Sequence, residues 1–121
     1  MKHDERGAGT VLVGLVAALV AGLSLIGLVV SSYVVATHRA RAAADLAVLA
    51  AAHAHAAGDQ GCETAAVTAR ANGAEVATCD LTGSRQAFSV QVVTRVTVRL
   101  RLPGAPTSVQ ARARAGTPAS S

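Results

Sequence analysis

Residues Gly7–Ala36 read GAGTVLVGLVAALVAGLSLIGLVVSSYVVA, thirty residues without a charged side chain. At ~1.5 Å rise per residue they make ~45 Å of helix, more than a ~30 Å hydrocarbon core requires. Val11–Val30 already suffices, and Ser31, Ser32 and Tyr33 then mark the interface, with Tyr33 as its aromatic anchor. A cleaved secretory signal is the main rival reading. The run is about twice the usual ~7–15 residue apolar region of such signals, and Val34-Val35-Ala36 is a poor small-residue cleavage site. The expectation is therefore an anchor, embedded in membrane lipid.

Working outward, Lys2 and Arg6 precede the span, and Arg39 and Arg41 follow it. Positive charge on the two flanks is balanced and does not orient the helix. Cysteine usage does. Cys62 and Cys79 both follow the span, and an oxidised pair belongs outside the cytoplasm. The expected layout is a cytoplasmic tail (1–6), a transmembrane helix (7–36), an extracytoplasmic domain (37–116) and a disordered tail (117–121), single-pass in the cytoplasmic membrane. Closing the loop between the cysteines stabilises by ~3 kcal/mol in the chain-entropy description. The bland alternative is two unrelated buried thiols. Within the span, Gly14, Ala18 and Gly22 recur every four residues and form a face that another helix can approach closely.

Past the span, neither Gly nor Pro occurs between Leu28 and Ala57. The Ala-rich run favours one helix continuing to about Ala57, stopped by Gly58. Leu46, Leu49 and His53 fall on one side at helical spacing and are expected to pack on the domain. A short helix fits Cys62–Asn72, with Glu63 in its first turn and Gly73 as its stop. Glu75–Asp80 reads as a strand and Thr82-Gly83-Ser84 as a turn. From Gln86 the period becomes two. Phe88, Val90, Val92, Val96, Val98, Leu100 and Leu102 point one way, against Ser89, Gln91, Arg95, Thr97, Arg99 and Arg101, which predicts a long half-buried strand with a basic face. Pro103-Gly104-Ala105-Pro106 ends it. Val109, Ala111 and Ala113 alternate with Gln110, Arg112 and Arg114, a last strand in which arginine opposite arginine would be unfavourable.

Composition narrows function by exclusion. Apolar residues make up 51% and charged residues 15%, with one Phe, one Tyr and no Trp, so the core is thin and aliphatic. The net charge is +4, but no aromatics interleave with the arginines, so a base-stacking surface is not expected and neither is a specific nucleic-acid partner. No phosphate-cradling loop, nucleophile elbow or zinc spacing is present. His53 and His55 diverge by ~200° around a helix and do not converge on one ion. No catalytic group, cofactor or metal is expected, and the chain is read as a non-enzyme.

Arg6-Gly7-Ala8-Gly9-Thr10-Val11 ahead of the apolar span resembles the start of TadE-like proteins of the Flp-type (tight adherence) pilus system. Arg39-Ala40-Arg41-Ala42-Ala43-Ala44-Asp45-Leu46-Ala47-Val48-Leu49-Ala50-Ala51-Ala52 resembles that group's Ala-rich signature just past the membrane. The stretch from Cys62 to Cys79, with Ala71-Asn72-Gly73-Ala74 in its middle, is similar to a branch encoded beside helicase and secretion genes. The resemblance covers about residues 5–116. It implies an α+β protein in which a single transmembrane helix extends into a small pilin-like head, with a short second helix and a two- to three-stranded antiparallel sheet. It also implies a minor pseudopilin or accessory role among other pilus or secretion subunits, with a homo-oligomer compatible. If Gly7 is the cleavage-site glycine, the fifth residue after it is Leu12, where prepilin-like members carry Glu. Prepilin processing and filament entry therefore do not carry over. Arg95, Arg99 and Arg101 form the candidate contact stripe. The alternative is a membrane-tethered binding module for an anionic ligand such as DNA or a cell-wall polymer.

Overall fold

The computed structural model describes residues 2–100 and 103–117, with side chains from residue 7 onward. One helix, α1 (Lys2–Ala56), is followed by α2 (Gly61–Ala71), β1 (Glu75–Gly83), β2 (Phe88–Thr97) and β3 (Ser108–Gly116). The strands form an antiparallel meander in the order β1-β2-β3. This is an α+β architecture, and the expected fold class holds, with three strands.

Both helices end where glycine can enter the left-handed region. Gly58 sits at φ 90 and Gly73 at φ 76. Gly58 N–H donates to His55 O and Asp59 N–H to Ala54 O; Gly73 N–H donates to Arg70 O and Ala74 N–H to Ala69 O. Each is a paired Schellman closure that satisfies carbonyls a helix end would otherwise orphan.

The head packs on the upper half of α1. Ala36, Ala40, Ala43, Ala44, Ala47, Val48 and Ala51 are buried there, against Ala65 and Ala69 of α2 and Phe88, Val90, Val92, Val96 and Val98 of the sheet and its exit. This corrects one expectation. Leu46 and Leu49 are 46% and 51% exposed, and His53 is exposed as well. Helix and sheet approach so closely that the α1 side of the seam is alanine with a single valine, Val48, and the leucines turn outward.

Other departures are local. The strand beginning at Phe88 ends at Thr97, so Leu100 is half exposed rather than core, and Leu102 lies outside the described residues. Thr94, unassigned in the alternation, is fully buried, and its hydroxyl donates to the Ala40 carbonyl. That bond meets the cost of burying a hydroxyl. Arginine does not face arginine: Arg112 is paired with Val93, and Arg114 with Gln91, to whose Oε1 it donates at 2.8 Å. β1 runs on to Gly83, through the expected turn, and carries an irregularity between Val76 and Thr78. Thr117, placed in the tail by sequence, is bonded to Phe88 through its amide and its hydroxyl; residues 118–121 lie outside the described set.

At Gly61, a methyl group would stand 2.8 Å from Leu81 Cδ1 and 2.9 Å from the Ala51 carbonyl oxygen. The α1–α2 crossing leaves no room for it, because a backbone atom cannot swing aside. Gly61→Ala is expected to cost about 2 kcal/mol, read as a lower unfolding midpoint of the full chain in detergent. An unchanged midpoint would refute the close crossing.

Candidate functional site

Cys62, in the first turn of α2, and Cys79, in mid-β1, form a disulfide with Cα atoms 5.8 Å apart. It ties α2 to the sheet, and no free cysteine remains. No cluster of three or more His, Cys, Asp or Glu able to hold a metal occurs among the described residues. His55 is instead used structurally, its Nε2 3.2 Å from the Ser84 carbonyl and its ring edge-on to Phe88 at 4.8 Å.

The β2–β3 connection saddles α1 just above its apolar half. On one flank Leu100 N–H donates to Ser32 Oγ at 3.0 Å. On the other the Tyr33 hydroxyl donates to the Pro106 carbonyl at 2.9 Å. Val98 N–H closes the loop onto Thr107 O. The base of the head is thus pinned to residues 32–33 of the helix.

Two grooves open on the Leu100 flank. The lower, 280 Å³, runs between Leu28, Ser31, Ser32, Val35 and Arg39 of α1 and Val96, Thr97, Arg99 and Leu100. The upper, 510 Å³, is lined by Arg39, Arg70, Arg95 and Arg99, with Glu75 as its carboxylate. Glu75 sits opposite Arg95 in the β1–β2 register, a favourable cross-strand pair. Arg95 and Arg99, expected as a stripe, do share this groove; Arg101 lies outside the described residues. Sequence alternation missed Arg39 and Arg70 because they arrive from two helices. Their only sequence signal was position: Arg39 opens the Ala-rich run, and Arg70 lies in the last turn of α2, two residues before Asn72-Gly73.

Gly14 and Gly22 have open space where a side chain would go. Eighteen residues separate Ala18 from Ala36 and Gly22 from Ala40, about five full turns. The small-residue face therefore lies directly beneath the head-bearing face. Leu46 and Leu49 project to the opposite side.

α1 is the one described helix long and apolar enough to cross a membrane, and its apolar window is not covered by the rest of the chain. No family model, curated protein or solved structure matches the chain.

Proposed function

We propose that the protein is a non-enzymatic, membrane-anchored TadE-like accessory subunit or minor pseudopilin of a Flp-type pilus or secretion apparatus. Its N-terminus lies inside and its head outside the cytoplasmic membrane. The observation that carries this reading is a single continuous helix. Its lower half exposes a band of large apolar side chains from Val11 to Val30, and its upper half carries a small disulfide-linked head. In water such a band would be an aggregation surface; in lipid it is an anchor. The disulfide favours the outer side.

The work of such a subunit is contact. Gly14, Ala18 and Gly22 offer close approach to a neighbouring helix that reaches the membrane surface beneath the head. Leu46 and Leu49 offer an apolar ridge on the far side. Arg95, Arg99 and Arg101 offer charge.

The test is the mass of the protein isolated from membranes, with and without reductant, together with its co-isolated partners. An intact chain starting at Met1, heavier by two hydrogens after reduction, agrees with an anchored, oxidised subunit. A start at Ala8 marks a processed pseudopilin, and a start near Thr37 in the soluble fraction refutes the anchor. Charge reversal at Arg95, Arg99 and Arg101 is expected to release partners that the wild-type chain retains; complexes left intact would remove the arginines from the contact. The alternative, a tethered module for an anionic polymer, draws on the upper arginine groove. Salt-sensitive binding of DNA by the intact protein would favour it.

A further inference from the structure

The lower groove combines apolar, hydroxylic and cationic lining. Along α1 it runs from Leu28 to Arg39, ~16 Å of helix. Leu28, Val35 and the half-exposed Leu100 give it an apolar wall, with Leu28 lowest and Val35 a turn below Arg39. The Ser31 and Ser32 hydroxyls lie between Leu28 and Val35, Arg39 stands at the upper end, and Arg99 borders the groove beside Leu100. No carboxylate is among its lining residues. An apolar wall broken by two hydroxyls and bordered by two cations suits the passage from hydrocarbon to headgroup across a bilayer surface, where the interfacial layer is ~5–7 Å per side. The Arg39 side chain lies against Gly73, its Cδ 3.2 Å from where a methyl group there would stand, and it borders both grooves. Arginine stems lie along apolar surface while the guanidinium seeks the headgroup level.

We infer that this groove binds the phosphodiester headgroup of an anionic membrane lipid, with Arg39 and Arg99 on the phosphate and one acyl chain descending past Val35, Leu100 and Leu28. The site rests on the membrane-anchored reading. Two arginines from different elements form a fork that fits the phosphate oxygens. The pinned loop holds that fork in place, since the Leu100–Ser32 bond fixes the backbone next to Arg99. A soluble polyanion is the weaker fit, because a polymer in water has no apolar segment to lay on Leu28 and Val35. The lipid has one by construction, and α1 delivers the groove to it.

The experiment uses the full-length chain in phosphatidylcholine vesicles at low salt, with trace spin-labelled phosphatidylglycerol or spin-labelled phosphatidylcholine as probes. The readout is the motionally restricted fraction of each probe. Phosphatidylcholine carries the same phosphodiester beside a choline cation, so the probes differ in net charge; at about fivefold per arginine for net anionic charge at a membrane surface, selectivity for phosphatidylglycerol of about 25-fold is expected. Arg39→Gln/Arg99→Gln is expected to bring it close to one. Arg112→Gln/Arg114→Gln, on the outer face of the sheet, should leave it unchanged. These positions are exposed, so the variants fold.

Equal restriction of both probes by a chain that floats with the vesicles overturns the lipid site and leaves the anchor standing. Selectivity that survives the Arg39/Arg99 change does the same. A chain that does not float with phosphatidylcholine vesicles overturns the anchor, and the site with it. If duplex DNA at equal phosphate concentration abolishes the selectivity, the groove belongs to a soluble polyanion and the lipid assignment falls.

Discussion

Replacing Cys62 and Cys79 with serine is expected to lower the unfolding midpoint of the head by roughly 12–24 °C. The bridge closes a separation of 17 residues, which removes about 3 kcal/mol of loop-closure freedom from the unfolded chain. In a domain of this size each kcal/mol moves the midpoint by about 4–8 °C. The share is large because the core is thin. Of the buried apolar side chains among the described residues, ten are alanine, five valine and one phenylalanine. Alanine has little surface to remove from water, so apolar burial alone leaves a small margin. α2 is the element most dependent on the bridge. It buries only Gly61, Ala65 and Ala69, while Cys62 ties its first turn to β1. Calorimetry of the full-length protein in detergent, with and without reductant, measures the change. A midpoint that moves by less than about 2 °C would mean that the crossing of α2 over α1 holds unaided.

Ala47→Leu is expected to destabilise the head by about 3 kcal/mol, at the upper end of what overpacking costs. Ala47 has no exposed surface and belongs to the cluster with Ala44, Val48, Ala51 and Val90. Three added carbons must push the sheet off α1, and the seam carries the buried bond from the Thr94 hydroxyl to the Ala40 carbonyl. Displacing the sheet strains that bond too, and a buried hydroxyl without its partner is itself costly. The control is Ala42→Leu. Ala42 is exposed on the other side of the same helix, and its variant should stay within about 0.5 kcal/mol of wild type. Helix propensity and hydrophobicity are nearly the same at the two positions, so the difference isolates packing. Equal effects at both would contradict the alanine seam.

Much of the chain was legible residue by residue. The uncharged run marked the apolar half of α1. Gly58 and Gly73 marked both helix ends to within a residue, because a left-handed closure selects glycine whatever surrounds it. The period of two from Phe88 located β2, and the cysteines announced their bridge. The candidate contact surface was half legible. Arg95 and Arg99 stood out through strand alternation, whereas Arg39 and Arg70 join them only by folding.

Local pattern and backbone chemistry therefore determined the elements: one long helix, one short helix, three strands and the ends of both helices, whereas β1 and β2 end elsewhere than the pattern implied. Tertiary structure decided which faces meet. By hydrophobicity Leu46 and Leu49 were the better candidates for the seam, yet alanine, with Val48, occupies it. The contact selects side chains for the distance between backbones as well as for their aversion to water, and that distance is set jointly by α1, α2 and the sheet. The same joint placement pins the β2–β3 connection to Ser32 and Tyr33 and brings arginines from α1, α2 and β2 to one flank.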